Sequence, residues 1–311
     1  MKLPDDRLLM ALGAIVGLLV LASLIVFALK KAKPQGNFDE LSSRIKSWWI
    51  MVGVFSLAVA VHRTVTFVFF ALLSFLALRE YLSLVPTRSE DHRPHLWLFA
   101  AIPIQYWWVA TGWYGMFIIF VPVYVFLFLP ARMVLIGKTE DYLRAIGTLH
   151  WGAMITIFGV SHAAYLLALP GAADNPADGP GLLLFLVALT QLNDVAQFCW
   201  GKTLGRTKAA PTVSPGKTLE GLLGGVGTTI LLSWLVAPWL TPLTPLQSVL
   251  AGLIIGLGGF LGDLNISAIK RDLQVKDSSQ LIPGHGGLLD RIDSLSYTAP
   301  LFLHFIRYLH G

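Results

Sequence analysis

The sequence predicts an all-α, polytopic integral membrane protein with nine or ten transmembrane helices. Three observations indicate this class. Of the 311 residues, 55% are hydrophobic and only 13% are charged, whereas a soluble domain of this length would carry about twice that charged fraction. Apolar runs long enough to cross a bilayer recur along the chain. No gap between them is long enough for a soluble domain.

The first apolar run, Leu8–Leu29, contains no charged residue. At about 1.5 Å per residue it is long enough for a hydrocarbon core of about 30 Å. A signal peptide is the alternative. However, the run exceeds a typical signal-peptide core, lacks a small-x-small cleavage site and is followed by further spans. We therefore expect a retained helix.

Further runs are predicted to span the membrane with short loops between them. The stretch from residue 48 to 78 allows either two tightly connected helices or one long helix with a re-entrant turn. The runs are Trp48–Val61, Thr64–Leu78, Leu96–Ala110, Tyr114–Leu129, Gly147–Leu169, Leu182–Phe198, Leu219–Pro238, Ser248–Leu264 and Leu295–Leu309.

The placement of charge predicts the orientation of these helices. With the N-terminus outside, most of the 23 Lys and Arg residues fall on loops that face the cytoplasm. The opposite loops hold a single arginine, Arg63. This asymmetry is what the positive-inside rule requires. The net charge of +5 therefore indicates topology and contact with membrane lipids, not nucleic-acid binding. We expect an inner-membrane protein whose polar segments face the cytoplasm.

The first polar stretch, Asn193–Gly225, begins where a predicted span ends. Asp194 lies in the last turn of that span, where a carboxylate is costly unless it is paired, hydrated or bound to a cation. The alternative is a snorkelling or interhelical hydrogen-bonded acid. Ser214, Lys217 and Thr218 then precede the next helix among Gly and Pro residues, which favours a phosphate cradle. The spacing is not that of a Walker loop, and an ordinary positive-inside loop is the alternative.

The second polar stretch, Gly262–Asp293, also follows a span that ends in an acid. If that helix continues, Asp263, Ser267, Lys270 and Arg271 share one face, because they lie at i, i+4, i+7 and i+8. A carboxylate, a hydroxyl and two cations on one stripe suit a metal–phosphate complex. The alternative is an amphipathic helix end whose charges neutralise one another.

This stretch ends in a glycine-rich turn and two acids. The segment Pro283–Gly287 cannot be regular helix, and its glycines allow backbone N–H groups to approach a ligand. Within it, His285 could be a general base, a phosphate donor or a turn residue. Asp290 and Asp293, at i and i+3, can share one cation.

Together these groups predict phosphoryl or nucleotidyl transfer to a lipid. Acids can hold a divalent metal, cations can hold phosphates, and the frame is embedded in the membrane. A bound metal and the cations would neutralise charge in the transition state. No activated Ser/His/Asp triad is evident, which favours direct in-line displacement over a covalent intermediate.

Two blocks resemble the signature of the phosphatidate cytidylyltransferase (CDP-diacylglycerol synthase) family. One reads Ser267-x-x-Lys270-Arg271, Lys276-Asp277 and Pro283-x-His285-Gly286-Gly287-x-x-Asp290-Arg291-x-Asp293. The other runs from Asp194 through Ser214-Pro215-x-Lys217-Thr218-x-Glu220-Gly221 to Gly224-Gly225. They cover roughly residues 190 to 300, and the first half resembles the family only in its hydrophobic spans. We therefore expect membrane anchoring, with dimer contacts, from residues 1–145, and a catalytic transmembrane region at 146–311.

The resemblance implies transfer of CMP from CTP to phosphatidate, with Mg²⁺ and a second cation such as K⁺, in a homodimer. Its implied catalytic residues are Asp263, Asp290, Lys270 and Arg271. The metal candidates are Asp263, Asp290, Asp194 and Asp293. The implied substrate-binding residues are Ser267, Ser214, Lys217, Thr218, Lys276, His285 and Arg291. The phosphatidate phosphate is already an anion, so it needs no strong general base.

Three positions depart from the family pattern. Gly216 stands where Lys is usual, Leu219 where an aromatic residue is usual, and Asn265 where an acid is usual. These departures leave the expected metal residues intact. They are also compatible with a divergent paralogue that has another phospholipid acceptor or low activity. The alternatives are therefore a cytidylyltransferase for a different lipid phosphate, or a transporter, which would need charges along a path through the bilayer.

Overall fold

The computed structural model describes residues 6–32, 38–88, 92–169, 179–279 and 286–310, and in this part of the chain long helices dominate. The helices are α1 (Asp6–Ala32), α2 (Asp39–Val61), α3 (Arg63–Leu84), α4 (His92–Thr111), α5 (Tyr114–Val134), α6 (Tyr142–Ala168), α7 (Gly179–Leu204), α8 (Leu219–Leu240), α9 (Pro245–Asp272) and α10 (Leu289–His310). Between α7 and α8, strands β1 (Lys208–Ala210) and β2 (Ser214–Thr218) pair antiparallel. The predicted all-α class is confirmed.

Most of these helices are suited to a membrane. Eight of the described helices, all except α4 and α10, are long and apolar enough to cross a bilayer. Leu24, Ile50 and Leu72 are each more than half exposed, which suits contact with lipid tails that are equally apolar. The integral membrane class is confirmed. Helices α4 and α10 are also long, but they are more polar and are not among these eight. The total of nine or ten spans therefore stays a prediction.

The stretch from residue 48 to 78 forms two helices. Helix α2 ends at Val61, His62 has extended backbone (φ −168°, ψ 146°), and α3 begins at Arg63. The His62 Nδ1 atom accepts a hydrogen bond from the Thr64 N–H at 3.2 Å. This bond satisfies one of the amides that a helix N-terminus leaves without an internal partner.

Helices α7 to α10 pack closely around the polar residues of the second half. Glycine allows this approach at Gly262 of α9, where an added Cβ would lie 2.5 Å from the carbonyl oxygen of Asp293 in α10. At Gly225 of α8 an added Cβ would overlap the side chain of Gln197 in α7. These contacts fix the acid-bearing helices relative to one another, because no side chain separates their backbones.

The two acid-bearing helices extend beyond the predicted spans. Helix α7 continues to Leu204, so Asp194 lies in the helix interior and not in its last turn. Helix α9 continues to Asp272, as the one-face arrangement of Asp263 and Ser267 requires. Hydropathy predicts where an apolar span ends, but it does not predict where the helix ends. The backbone hydrogen bonds of both helices continue for at least one further turn into polar sequence.

Candidate active site

A cavity of about 430 Å³ lies between α7, β2, the start of α8 and α9. It joins the two polar stretches, because the first supplies most of its lining and the second supplies Asp263. Its polar lining includes Asp194, Lys202, Ser214, Lys217, Thr218 and Asp263, and its apolar lining includes Phe198, Leu222 and Phe260. The predicted phosphate-cradle residues therefore share one cavity with two of the predicted metal residues.

A small hairpin sets the position of Lys217. Strand β2 leads directly into α8, where the Thr218 hydroxyl accepts the Gly221 N–H at 3.0 Å and caps the helix. Glu220 in the first turn accepts backbone N–H groups of Arg206 and Thr207, at 3.0 and 3.1 Å. The carboxylate thus ties the residues before β1 to the helix start, and the hairpin cannot swing away freely.

Lys217 forms an ion pair with Asp263. The distance from the lysine Nζ to the aspartate Oδ2 is 2.7 Å, and the same ammonium lies 4.8 Å from the centroid of the Phe260 ring, within cation–π range. The other oxygen of Asp263 accepts the Ser267 hydroxyl at 3.1 Å. The predicted Asp263–Ser267 face is therefore confirmed.

Two more acids lie beside this pair. Asp194 accepts the Ser294 hydroxyl at 3.1 Å, and the buried Asp293 accepts the Ser294 N–H at 2.6 Å. Asp194 and Asp263 are both close enough to Asp293 to interact with it electrostatically. Three carboxylates from α7, α9 and α10 therefore converge on one region, with Lys217 and Arg291 as cationic neighbours of Asp194.

The donor set fits Mg²⁺ in its chemistry. Carboxylate oxygens are the hard ligands that this cation prefers, and Asp194, Asp263 and Asp293 supply them from three rigid helices. Among the described residues, no group of three or more His, Cys, Asp or Glu side chains has the arrangement of a metal cluster.

Asp290 belongs to a different network. Its Oδ1 accepts the Lys270 ammonium at 2.6 Å, and its Oδ2 accepts the Ser278 N–H, the Ser278 hydroxyl and the Gly287 N–H at 3.0, 2.8 and 3.1 Å. Both oxygens are thus engaged, and Asp290 is buried. Asp263 and Asp290 are the expected metal pair, but they share no partner. Asp263 contacts Lys217 and Ser267, whereas Asp290 contacts Lys270, Ser278 and Gly287.

The remaining predicted residues are more dispersed. The Arg271 Nε donates to the Val213 carbonyl at 3.1 Å, which holds α9 against the hairpin turn. Lys276 is exposed after α9, and Arg291 lies half-buried in the first turn of α10. His285 lies outside the described residues, so its three alternatives stay open.

Sequence reasoning missed Glu80, a buried acid of α3. Its carboxylate accepts the Ser278 hydroxyl, the Leu288 N–H at 2.9 Å and the Leu289 N–H at 3.1 Å. The available signal was an acid just past the end of an apolar run. Such a position is equally typical of a span edge, so no local pattern connects Glu80 with its partners, which lie 198 to 209 positions away.

Comparison with known proteins reveals similarity to one family. Residues 42–309 match the model of the cytidylyltransferase family. The chain is also 48% identical over 298 residues to a protein of Escherichia coli (strain K12) named uncharacterized protein YnbB. That alignment covers 96% of this chain and 98% of the relative.

Relatives with a named activity match over a shorter range. A phosphatidate cytidylyltransferase of Synechocystis is 45% identical over 141 residues, which cover 44% of this chain and 48% of that protein. One of Haemophilus influenzae is 40% identical over 144 residues, which cover 45% and 50%. The chain therefore aligns with about half the length of each of these two enzymes.

Proposed function

Because the chain belongs to the cytidylyltransferase family and is therefore a nucleotidyltransferase, we propose that it transfers CMP from CTP to phosphatidate. The products are CDP-diacylglycerol and pyrophosphate. The observation that carries the proposal is the cavity in which Lys217 and Asp263 meet inside a bundle of membrane helices. The named activity of the Synechocystis and Haemophilus relatives supports phosphatidate as the acceptor.

The hairpin wall of the cavity suits a triphosphate. The Lys217 ammonium and the hydroxyls of Ser214 and Thr218 lie on this wall with Lys202. Such donors form strong hydrogen bonds with the charged oxygens of phosphate groups. A Cβ added at Gly216 would meet no atom within 4 Å, so the missing family lysine at this position leaves open space for the nucleotide.

The carboxylates beside this wall suit Mg²⁺. Asp194, Asp263 and Asp293 would hold it, and when bound it would neutralise phosphate charge as pyrophosphate leaves. Asp290 is better suited to positioning the Lys270 ammonium, because both of its oxygens are already held by protein donors.

The residues present support a direct displacement. A phosphate oxygen of the lipid forms a bond to the α-phosphorus of CTP, and the bond from that phosphorus to the bridging oxygen breaks. The nucleophile is already an anion, so the step requires no protein base. The cationic groups stabilise the charge that develops on the pyrophosphate. Phe198, Leu222 and Phe260 provide an apolar wall suited to the glyceride part of an amphiphile.

We infer that the cavity faces the cytoplasm of the inner membrane, because the loops at its end of the bundle carry the basic residues. A homodimer is part of this proposal, and membrane lipids would surround it. Measuring the mass of the purified chain in lipid nanodiscs tests the dimer. Labelling the exposed Cys199 of α7 with a membrane-impermeant thiol reagent, in intact cells and in inverted vesicles, tests the orientation.

A second candidate is transfer to a different lipid phosphate. The E. coli relative that covers nearly the whole chain has no named activity, whereas the named enzymes match only about half of it. Pyrophosphate release from CTP should be measured with phosphatidate, with other lipid phosphates and with no lipid. Fastest release with phosphatidate is the expected result. Faster release with another lipid phosphate favours the second candidate, and release independent of lipid contradicts both.

A further inference from the structure

Two buried carboxylates hold the segment that leads into α10. The N–H groups of three successive residues point at them. The Gly287 N–H donates to Asp290 at 3.1 Å, and the Leu288 and Leu289 N–H groups donate to Glu80 at 2.9 and 3.1 Å. A helix N-terminus leaves such amides without internal partners. Here one of the partners comes from α3, in the first half of the chain.

The Ser278 hydroxyl links the two carboxylates. It contacts Glu80 and lies 2.8 Å from the Oδ2 of Asp290. From Asp290 the network continues to the Lys270 ammonium at 2.6 Å. Glu80 is therefore connected, through Ser278 and Asp290, to a cation on α9 that is expected to contact phosphate.

The glycines of this turn fit the same interpretation. A Cβ added at Gly287 would overlap both the Glu80 carboxylate and the Ser278 hydroxyl. At Gly286 (φ +75°), a Cβ would lie 2.9 Å from the Oδ2 of Asp290. The sequence suggested that these glycines make room for a ligand. In the structure they make room for two carboxylates of the protein itself.

We propose that Glu80 is a positioning residue for the reaction. It fixes the start of α10 and, through Ser278 and Asp290, the position of Lys270. A negative group also interacts favourably with the positive end of the α10 dipole. The N-terminal helices are then part of the catalytic unit as well as a membrane anchor. The kinetic test below rests on the proposed function, whereas the hydrogen-exchange test does not.

The test compares Glu80→Gln with the matched control Glu140→Gln in the full chain. The glutamine at position 80 has the same shape, but its NH₂ group would face N–H donors, so at least one contact is lost. Glu140 is exposed in the loop between α5 and α6. Both variants are prepared in lipid nanodiscs, and amide hydrogen exchange and two-substrate kinetics are measured on the same samples.

In Glu80→Gln we expect about tenfold or faster exchange in the peptide that covers residues 286–292, with wild-type exchange in α7 and α8. We expect kcat to fall about 10- to 100-fold, as for other lost orienting contacts. The KM for the lipid phosphate should rise while the KM for CTP is retained, because Lys270 lies outside the cavity wall that carries Lys217. Glu140→Gln should match wild type.

Several results would overturn the proposal. One is wild-type exchange at residues 286–292 in Glu80→Gln. Another is a lower maximal rate with both KM values retained, because that pattern reports fewer folded molecules and not misplaced groups. If Glu80→Gln fails to fold, Ser278→Ala decides, since it removes only the linking hydroxyl. A wild-type lipid KM in that variant contradicts the proposal, and a raised one supports it.

If the wild type turns over no CTP, the proposed function fails and hydrogen exchange alone decides the role of Glu80.

Discussion

The Nζ of Lys217 lies 2.7 Å from the Oδ2 of Asp263, and this ion pair joins the hairpin to α9. Neither polar stretch forms the cavity alone. The pair places a cation that we propose to bind phosphate next to a carboxylate that has Asp293 as an electrostatic neighbour. A nucleotide and a cation that bind here would therefore contact both stretches together.

Replacing Lys217 with methionine removes this cation and keeps most of the length of the unbranched side chain. We expect kcat/KM for CTP to fall about tenfold to a hundredfold, because a hydrogen bond to a charged group contributes about 1.5–3 kcal/mol. Steady-state pyrophosphate release measures the change. Lys138→Met, in the loop between α5 and α6, is the control. Equal rates for the two variants would remove Lys217 from the nucleotide site.

Asp263→Asn and Asp290→Asn should differ in their response to Mg²⁺. Asp263 faces the cavity, so its variant should need at least about tenfold more Mg²⁺ for half-maximal rate. Asp290 is held by Lys270, Ser278 and Gly287, so its variant should lose activity without a shift in Mg²⁺ requirement. Mg²⁺ titrations of the residual rate measure both. A shift in Asp290→Asn alone would support the metal role that the family resemblance implies for it.

Asp290→Asn should also loosen the turn before α10. Its new NH₂ group would face either the Lys270 ammonium or the Ser278 and Gly287 N–H donors, and a buried donor without a partner costs about 1–3 kcal/mol. We therefore expect a lower thermal unfolding midpoint in detergent, together with lost CTP-dependent product. A variant that keeps both the wild-type midpoint and wild-type turnover would contradict the contacts described for Asp290.

Gly287→Ala and Gly216→Ala form a matched pair. A methyl group at Gly287 overlaps Glu80 and Ser278, whereas one at Gly216 meets open space. We expect the first variant to be less stable by about 1–3 kcal/mol, as in other overpacked sites, and the second to be nearly unchanged. Thermal unfolding followed by circular dichroism compares them. A similar loss of stability in both would count against the close packing around Gly287.

Part of the site could be predicted because it is local. Asp263 and Ser267 lie one helical turn apart, so periodicity alone placed them together, and their 3.1 Å hydrogen bond confirms it. The cradle residues Ser214, Lys217 and Thr218 were predicted from a loop before a helix, and all three line the cavity.

The rest depends on contacts between distant segments. The partner of Lys270 is Asp290, on another helix, because tertiary packing and not helical periodicity sets that distance. The role of Glu80 depends on how α3 packs beside the start of α10, and no local pattern encodes it. The first residue of a helix is also difficult to predict from the apolar pattern. The apolar run begins at Trp48, but α2 begins at Asp39, since polar residues can form helical hydrogen bonds outside the apolar stretch.

The most direct test of the central claim is product analysis with the purified chain. CTP, phosphatidate and Mg²⁺ are incubated with it in nanodiscs, and lipid products and pyrophosphate are quantified by mass spectrometry and enzymatic assay. We expect CDP-diacylglycerol and pyrophosphate in equal amounts, with neither formed by Lys217→Met at more than about a tenth of the wild-type rate. Pyrophosphate without a CDP-lipid, or no turnover of CTP with any lipid phosphate, would contradict the account.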